Sequence, residues 1–295
     1  MHRRIHAAVV TVSLGWMLAG ATPAQAAELK PETLAAFDRY VRQAEQRMDE
    51  ELTRNTFLLP DAWPPERRDA AYQRLRRGEM IVERLNPENG ETRVPHGLIH
   101  HWAGIVFIPG ATLDRTLALI QDYDHHQDVY SPEVLRSRLV RREGDDFQIF
   151  LRLRKHKVTT VVLDTEYDVH FVRLDPHRVY SRSHSTRIAE VEKPGGRDER
   201  DRPPGNDHGF TWALDTYWRF LETSDGVFVQ CEAISLTRDI PIGLAWLIGP
   251  FVQSIPRESL EFTLTTTRKA VAARQAATAG PRGPIGESLC LRKTN

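Results

Sequence analysis

Leu98-Ile-His-His-Trp-Ala-Gly-Ile-Val-Phe-Ile-Pro-Gly-Ala-Thr-Leu-Asp-Arg-Thr-Leu-Ala-Leu-Ile-Gln121 is the stretch on which the fold turns. Ile99, Ala103, Ile105 and Phe107 alternate with other residues up to Pro109-Gly110, as in a β-strand. Residues 112–121 return to helical spacing, with Thr112 placed to accept a backbone N–H as N-cap. A polar elbow follows, Asp122-Tyr-Asp-His-His-Gln-Asp-Val-Tyr-Ser-Pro132. Beyond it come strand-like segments at 134–143, 146–155, 158–173, 177–191, 209–223 and 226–239. Short turns separate most of them: Glu143-Gly-Asp-Asp146, Asp175-Pro-His177 and Ser224-Asp-Gly226. Links this short join antiparallel neighbours, so the rhythm is that of a meander. The exception is Glu192–Gly209, charged, rich in Pro and Gly and without apolar residues, which reads as a mobile loop. Residues 243–273 then read as one long or kinked helix, broken near Pro250 and Pro256, and 274–295 as a disordered tail.

Upstream, Leu34, Phe37, Val41, Ala44, Met48 and Leu52 recur at three- and four-residue steps and predict a helix over 32–53. A second helix is predicted at 65–77, with Pro at its start and Gly78 past its end. Glu79–Leu85 reads as a short strand before the turn Asn86-Pro-Glu-Asn-Gly90. Residues 1–26 have the tripartite pattern of a secretory signal: Arg3 and Arg4, an apolar stretch to Ala19, then Ala24-Gln25-Ala26. Cleavage is expected after Ala26, and the mature chain is expected in the periplasm or outside the cell. The expected organisation is therefore a signal peptide (1–26), a helical extension with a short strand (27–97), a main domain (98–273) and the tail (274–295). The fold class is α+β. An antiparallel sheet of about seven strands is left to bury one face on the long C-terminal helix. A curved sheet cannot follow a cylinder along its whole length, so a space between them is expected, of the kind that holds small apolar ligands.

Gly104-Ile-Val-Phe-Ile-Pro-Gly-Ala111 followed by a helix resembles the first strand and helix of the START-like (SRPBCC) superfamily. This is the helix-grip fold of lipid-transfer domains, the birch-pollen allergen family and polyketide cyclases. Tyr123 to Pro132 is similar to its second short helix. Ile240-Pro-Ile-Gly243 through Ile255-Pro-Arg-Glu-Ser-Leu-Glu-Phe-Thr-Leu264 is similar to its gripping helix. The resemblance covers about Leu98–Ala273. It implies a curved sheet around the C-terminal helix and an internal cavity for a lipid or other hydrophobic small molecule. Most members bind or carry; some cyclise or hydrolyse, and the fold does not decide between these.

Phe210, Trp212, Leu214, Thr216, Trp218 and Phe220 alternate along one strand, so that face is either core or cavity wall. Val229, Cys231, Ala233 and Ser235 form a small-residue face on the next strand, leaving room for a ligand or for the helix. The run 243–255 is the most apolar of the mature chain, and at about 13 residues it is too short to span a bilayer. It is either a buried helix start or a hinged lid in transient contact with a membrane, breaking at Gly249-Pro250. The cavity candidates are thus Tyr123, Trp212, Trp218, Phe220, Cys231, Trp246 and Phe251.

Arg136, Arg138 and Arg142 share a strand face, and Asp164, Glu166, Asp168 and His170 share another. Together they read as a solvated outer face with cross-strand ion pairs, or as a basic rim for anionic headgroups. His100 and His101 point to opposite faces and cannot chelate together. His125-His126 beside Asp122, Asp124 and Asp128 read as a solvated helix end, or, if the elbow converges, as a transition-metal set. No phosphate-cradling, nucleophile-elbow or zinc motif occurs, so no catalytic residue, metal or cofactor is assigned. If chemistry occurs, its acid or base comes from Tyr123, Tyr167, Tyr217, His184, Asp215 or Glu232, and a cyclase acting on an aromatic or polyketide substrate is the alternative function. A third reading is a partner-binding protein that docks through helix 32–53.

The chain has 295 residues, with 40 Lys+Arg against 40 Asp+Glu. Removal of the two signal-segment arginines leaves 38 against 40. With no basic excess, a nucleic-acid partner is not expected. Two cysteines make neither a disulfide scaffold nor a four-Cys zinc site. A mean hydropathy of −0.45 argues against a multi-span membrane protein.

Overall fold

The computed structural model describes residues 27–54, 56–85, 92–156, 160–239 and 245–278, with the side chains of 245–253 left undescribed. The signal segment, the turn at 86–90, Cys290 and the side chains of Trp246 and Phe251 lie outside that description.

In chain order the elements are β1 (Ala27–Glu28), α1 (Pro31–Thr53), α2 (Pro65–Arg76), β2 (Ile81–Arg84), β3 (Thr92–Val94), β4 (Gly97–Pro109) and α3 (Leu113–Ile120). There follow α4 (His126–Val129), β5 (Val134–Glu143), β6 (Asp146–His156), β7 (Thr160–Asp175) and β8 (Arg178–Glu192). The chain then forms β9 (Arg200–Asp201), β10 (Asn206–Asp207), β11 (Ala213–Thr223), β12 (Gly226–Arg238) and α5 (Ala245–Thr278). The main sheet has ten strands in the order β2-β4-β12-β11-β8-β7-β6-β5, with β3 added to β4 and β9 to β8. All of its pairings are antiparallel. The three strands beyond the expected seven are β2, β3 and β9, short segments recruited to the main meander.

Helix α5 lies across the concave face. Leu260, Leu264 and Val271 share one core with Val106, Ile108, Phe147, Val169 and Phe220. The helix runs through Pro250 and Pro256 without the expected break and ends at Thr278, five residues into the segment expected as tail. Arg274 in that last stretch reaches Asp122 at 3.0 Å.

The outer face is covered as well. The stripe Phe37, Val41, Ala44 and Met48 of α1 packs on Ile99, Ala213, Tyr217, Ile234 and Leu236. Ala71 and Leu75 of α2 join Ile105, Phe107 and Phe228. This corrects the docking reading of helix 32–53, because its apolar face is spent on the chain's own sheet. Strand β4, buried from both sides along residues 97–108, is nearly all apolar for that reason.

The loop 192–209 also departs from expectation. Its charges find partners: Arg152 holds Glu199 at 2.7 Å, Arg200 holds Glu192 at 2.6 Å and His208 holds Glu190 at 2.6 Å. Short ladders tie β9 to β8 and β10 to β1. A charged sequence without apolar anchors is therefore fixed by electrostatics and main-chain pairing.

On the outer face, Arg152 and Asp164 form a bidentate pair at 2.6 and 2.7 Å across neighbouring strands. Arg142 does not share the face of Arg136 and Arg138. A bulge between Leu139 and Arg141 inserts one residue and sets Arg142 opposite Phe147, with its guanidinium 4.6 Å from that ring centre.

Candidate ligand cavity

The concave face and α5 enclose a cavity of about 490 Å³. Where α5 approaches β4 the sheet offers Gly104, and helix and sheet touch. Further across, the sheet falls away to small side chains: Ser181 and Ser183 of β8, Thr216 of β11, and Ala233 and Ser235 of β12. Large side chains wall this floor, including Ile149 and Leu151 of β6, Tyr167, Val169 and Phe171 of β7, and Trp218 of β11. Leu260, Phe262 and Thr263 of α5 form the roof, and Tyr123, His126 and Tyr130 close one side. The volume follows from this pattern of small side chains between large ones.

Among the described residues, none that lines the interior away from the margin is charged. Burial, with a contribution from Tyr130, pushes the Tyr123 hydroxyl up, and burial raises Tyr130 and Tyr167 to about 12. Burial also raises the Cys231 thiol and lowers His126 to about 4. All five are neutral at pH 7. The charged side chains among the described lining residues stand at the margins, where Lys155 pairs with Glu133 and where Arg238 and Asp239 sit.

Of the cavity candidates, Tyr123, Trp218 and Cys231 line this space. Trp212 does not. The strand begins only at Ala213, so alternation cannot be carried back to residue 212. Its ring joins the cluster under α1, and its indole N–H donates to Asp207 Oδ1 at 3.0 Å. Phe220 has the inward parity but lies beyond the cavity, fully buried in the core. Tyr130, Phe171, Ser181 and Leu260 line the cavity and went unnamed. Single-strand alternation gives the face a residue points to, but not which part of that face the helix leaves uncovered.

The acid–base candidates divide by the same parity. Only Tyr123 and Tyr167 face the cavity. Tyr217, His184, Asp215 and Glu232 point the other way, into a polar layer under α1. There Tyr40 Oη meets His101 Nδ1 at 2.9 Å, and His101 Nε2 meets Glu232 Oε1 at 2.6 Å. Arg47 of α1 also binds Glu232. Burial opposes the Glu232 charge, yet the hydrogen bond from His101 and the charges of His101, Arg47 and Arg219 hold its carboxyl below the usual range. His184 bridges Asp215 at 3.2 Å and Glu45 at 3.3 Å, and these two carboxylates raise it to about 10. These groups fasten α1 to the sheet rather than serve the cavity.

The histidine pair at the elbow diverges. His125 is exposed and bonds Asp122 at 2.6 Å, whereas His126 is buried and bonds the Ile120 carbonyl at 3.0 Å. Among the described residues no three His, Cys, Asp or Glu side chains converge as metal ligands. No described helix is long and apolar enough to cross a membrane.

A long C-terminal helix held in a curved antiparallel sheet, with a helical pair between the first two long strands and a cavity beneath the helix, is the helix-grip arrangement. The fold is a helix grip. No family model and no curated protein matches the chain. Among solved structures it is similar to a STAR-related lipid transfer protein fragment from Xanthomonas axonopodis: 16% identity over 64% of this chain and 98% of that one, TM-score 0.41. It is also similar to the Zhui aromatase/cyclase from a Streptomyces species: 14% identity, 62% and 98% coverage, TM-score 0.39. A START superfamily protein from Mycobacterium smegmatis matches at 13% identity, with 59% and 99% coverage and TM-score 0.39.

Proposed function

We propose that this protein binds a hydrophobic small molecule or lipid in its internal cavity and acts as a carrier. The observation that carries the reading is the 490 Å³ space with an apolar wall and a neutral interior. Chemistry would need an acid and a base converging on that space. Among the described residues, the carboxylates face α1 or stand at the cavity margin, and the wall's buried histidine, His126, is already engaged through Nε2 with the Ile120 carbonyl at 3.0 Å. The cyclase alternative therefore lacks its acid–base pair.

Native mass spectrometry of the purified chain, followed by organic extraction, tests the reading. A co-purifying apolar molecule, released on denaturation, is expected. A protein that is empty and refuses every apolar probe would overturn it.

The tripartite pattern of residues 1–26 supports export, so the site of action proposed is outside the cytoplasm. N-terminal sequencing of protein recovered from cells should begin at Ala27. A chain retaining Met1 in the cytoplasmic fraction would count against export.

A further inference from the structure

The cavity floor holds a polar atom with nothing to bond. Ser181 is 1% exposed, and its Oγ has no hydrogen-bond partner. It sits at the centre of the sheet, with Phe171 opposite on one side and Trp218 on the other. One step along the strand ladder, Ser183 and Thr216 lie directly opposite each other, so hydroxyls form a short patch on an otherwise apolar floor. A buried hydroxyl left without a partner carries an uncompensated desolvation cost, which a partner in the cavity would return. Among the described residues no unpaired ammonium, guanidinium or carboxylate shares the interior with it. The marginal Lys155 already holds Glu133.

Resting on the carrier reading above, we infer that the ligand is an uncharged, largely apolar molecule with one hydrogen-bonding oxygen, a hydroxyl or carbonyl, seated against Ser181. An ionised carboxylate or phosphate would be buried there without a counter-charge, a cost that apolar contacts do not offset. A pure hydrocarbon would leave Ser181 unpaired. The chemistry selects a neutral alcohol or ketone on a rigid or chain-like apolar body.

Fluorescence titration of the full chain with three matched probes tests this: 1-methylpyrene, 1-pyrenemethanol and 1-pyrenecarboxylate. Ser181→Ala is expected to weaken 1-pyrenemethanol roughly two- to tenfold and leave 1-methylpyrene unchanged. The carboxylate should bind wild type most weakly of the three. The variant should fold at least as stably as wild type, since the lost hydroxyl has no partner. An equal effect of Ser181→Ala on methylpyrene and pyrenemethanol, or none on either, would overturn the Ser181 assignment while leaving the cavity reading intact. Tightest binding of the carboxylate would overturn the neutral ligand class. If wild type binds none of the three, the carrier reading falls with it.

Discussion

Leu264 occupies the space that a side chain on Gly104 would need: its Cδ1 lies 2.5 Å from the position of a β-carbon on that glycine, and Leu260 Cδ2 lies at 3.3 Å. The absence of a side chain at one point of β4 seats α5 against the sheet. It thereby fixes the height of the cavity roof further along the helix. Gly104→Ala is expected to lift the helix and cost about 1–3 kcal/mol. Urea unfolding checks this, and an unchanged midpoint would mean that the helix is not seated there.

Trp218 and Phe220 stack nearly parallel, with ring centres 6.0 Å apart, yet only Trp218 reaches the cavity. Their truncations should separate binding from stability. Phe220→Ala should lose about 3–5 kcal/mol of stability, with a smaller effect on the affinity for 1-methylpyrene. Trp218→Ala should do the reverse. Urea midpoints and probe titrations on both variants read the order, and the opposite order would place the ligand at the Phe220 end.

Stability should fall on both sides of neutrality. Burial holds His100 and His126 at about 4, with the Arg84 charge helping at His100. Both lie below the value of about 6.5 for an unfolded histidine. The unfolded chain therefore takes up protons that the native one refuses. Stability declines as pH drops from about 6.5 to 4, by on the order of 3 kcal/mol per residue. His184, raised to about 10 by Asp215 and Glu45, works in the other direction. Its contribution is complete below about pH 6.5 and is lost as pH rises through 10. At 43% side-chain exposure that contribution is screened and modest. Urea midpoints from pH 4 to 10 should show both limbs. His126→Gln should flatten the acid limb and His184→Gln the alkaline one.

Glu232 joins the first helix to the middle of the sheet. Glu232→Ala leaves His101 buried without its carboxylate and Arg47 without one of its two acids. A loss of about 3 kcal/mol is expected, and Glu232→Gln, which keeps an acceptor, should lose less. Thermal melts compare the two. A Glu232→Ala variant as stable as wild type would show that α1 is held by its apolar stripe alone.

The long strands and helices are legible in the sequence because each has a period and a punctuated end. Thr112, the 143–146 turn and the 224–226 turn all mark observed boundaries. Short ladders such as β3 and β9 carry no period and were not legible. The inward parity of Leu214, Thr216 and Trp218 could be read from alternation, but the turning-back of Trp212 could not, since it depends on where main-chain pairing begins. Arg142 was misplaced for a related reason: one bulged residue reverses every assignment beyond it. Ser181 bears no mark at all. Its interest comes from what surrounds it in three dimensions, and a serine in a strand has no local signature of lacking a partner.

Strand β4 pairs along its length with β12, from Gly97↔Arg238 to Pro109↔Gly226. This ladder, second from one edge of the sheet, therefore joins the first and last long strands of the chain, with the rest of the meander threaded between. A nascent chain holds an apolar strand without its main partner until residues 226–238 have been made. Closure over so long a separation is slow compared with local helix pairing. Until then one flank of β4 stays unpaired, however much of the intervening meander has formed. A truncation before residue 226 would remove this closure and leave β4 as an adhesive edge.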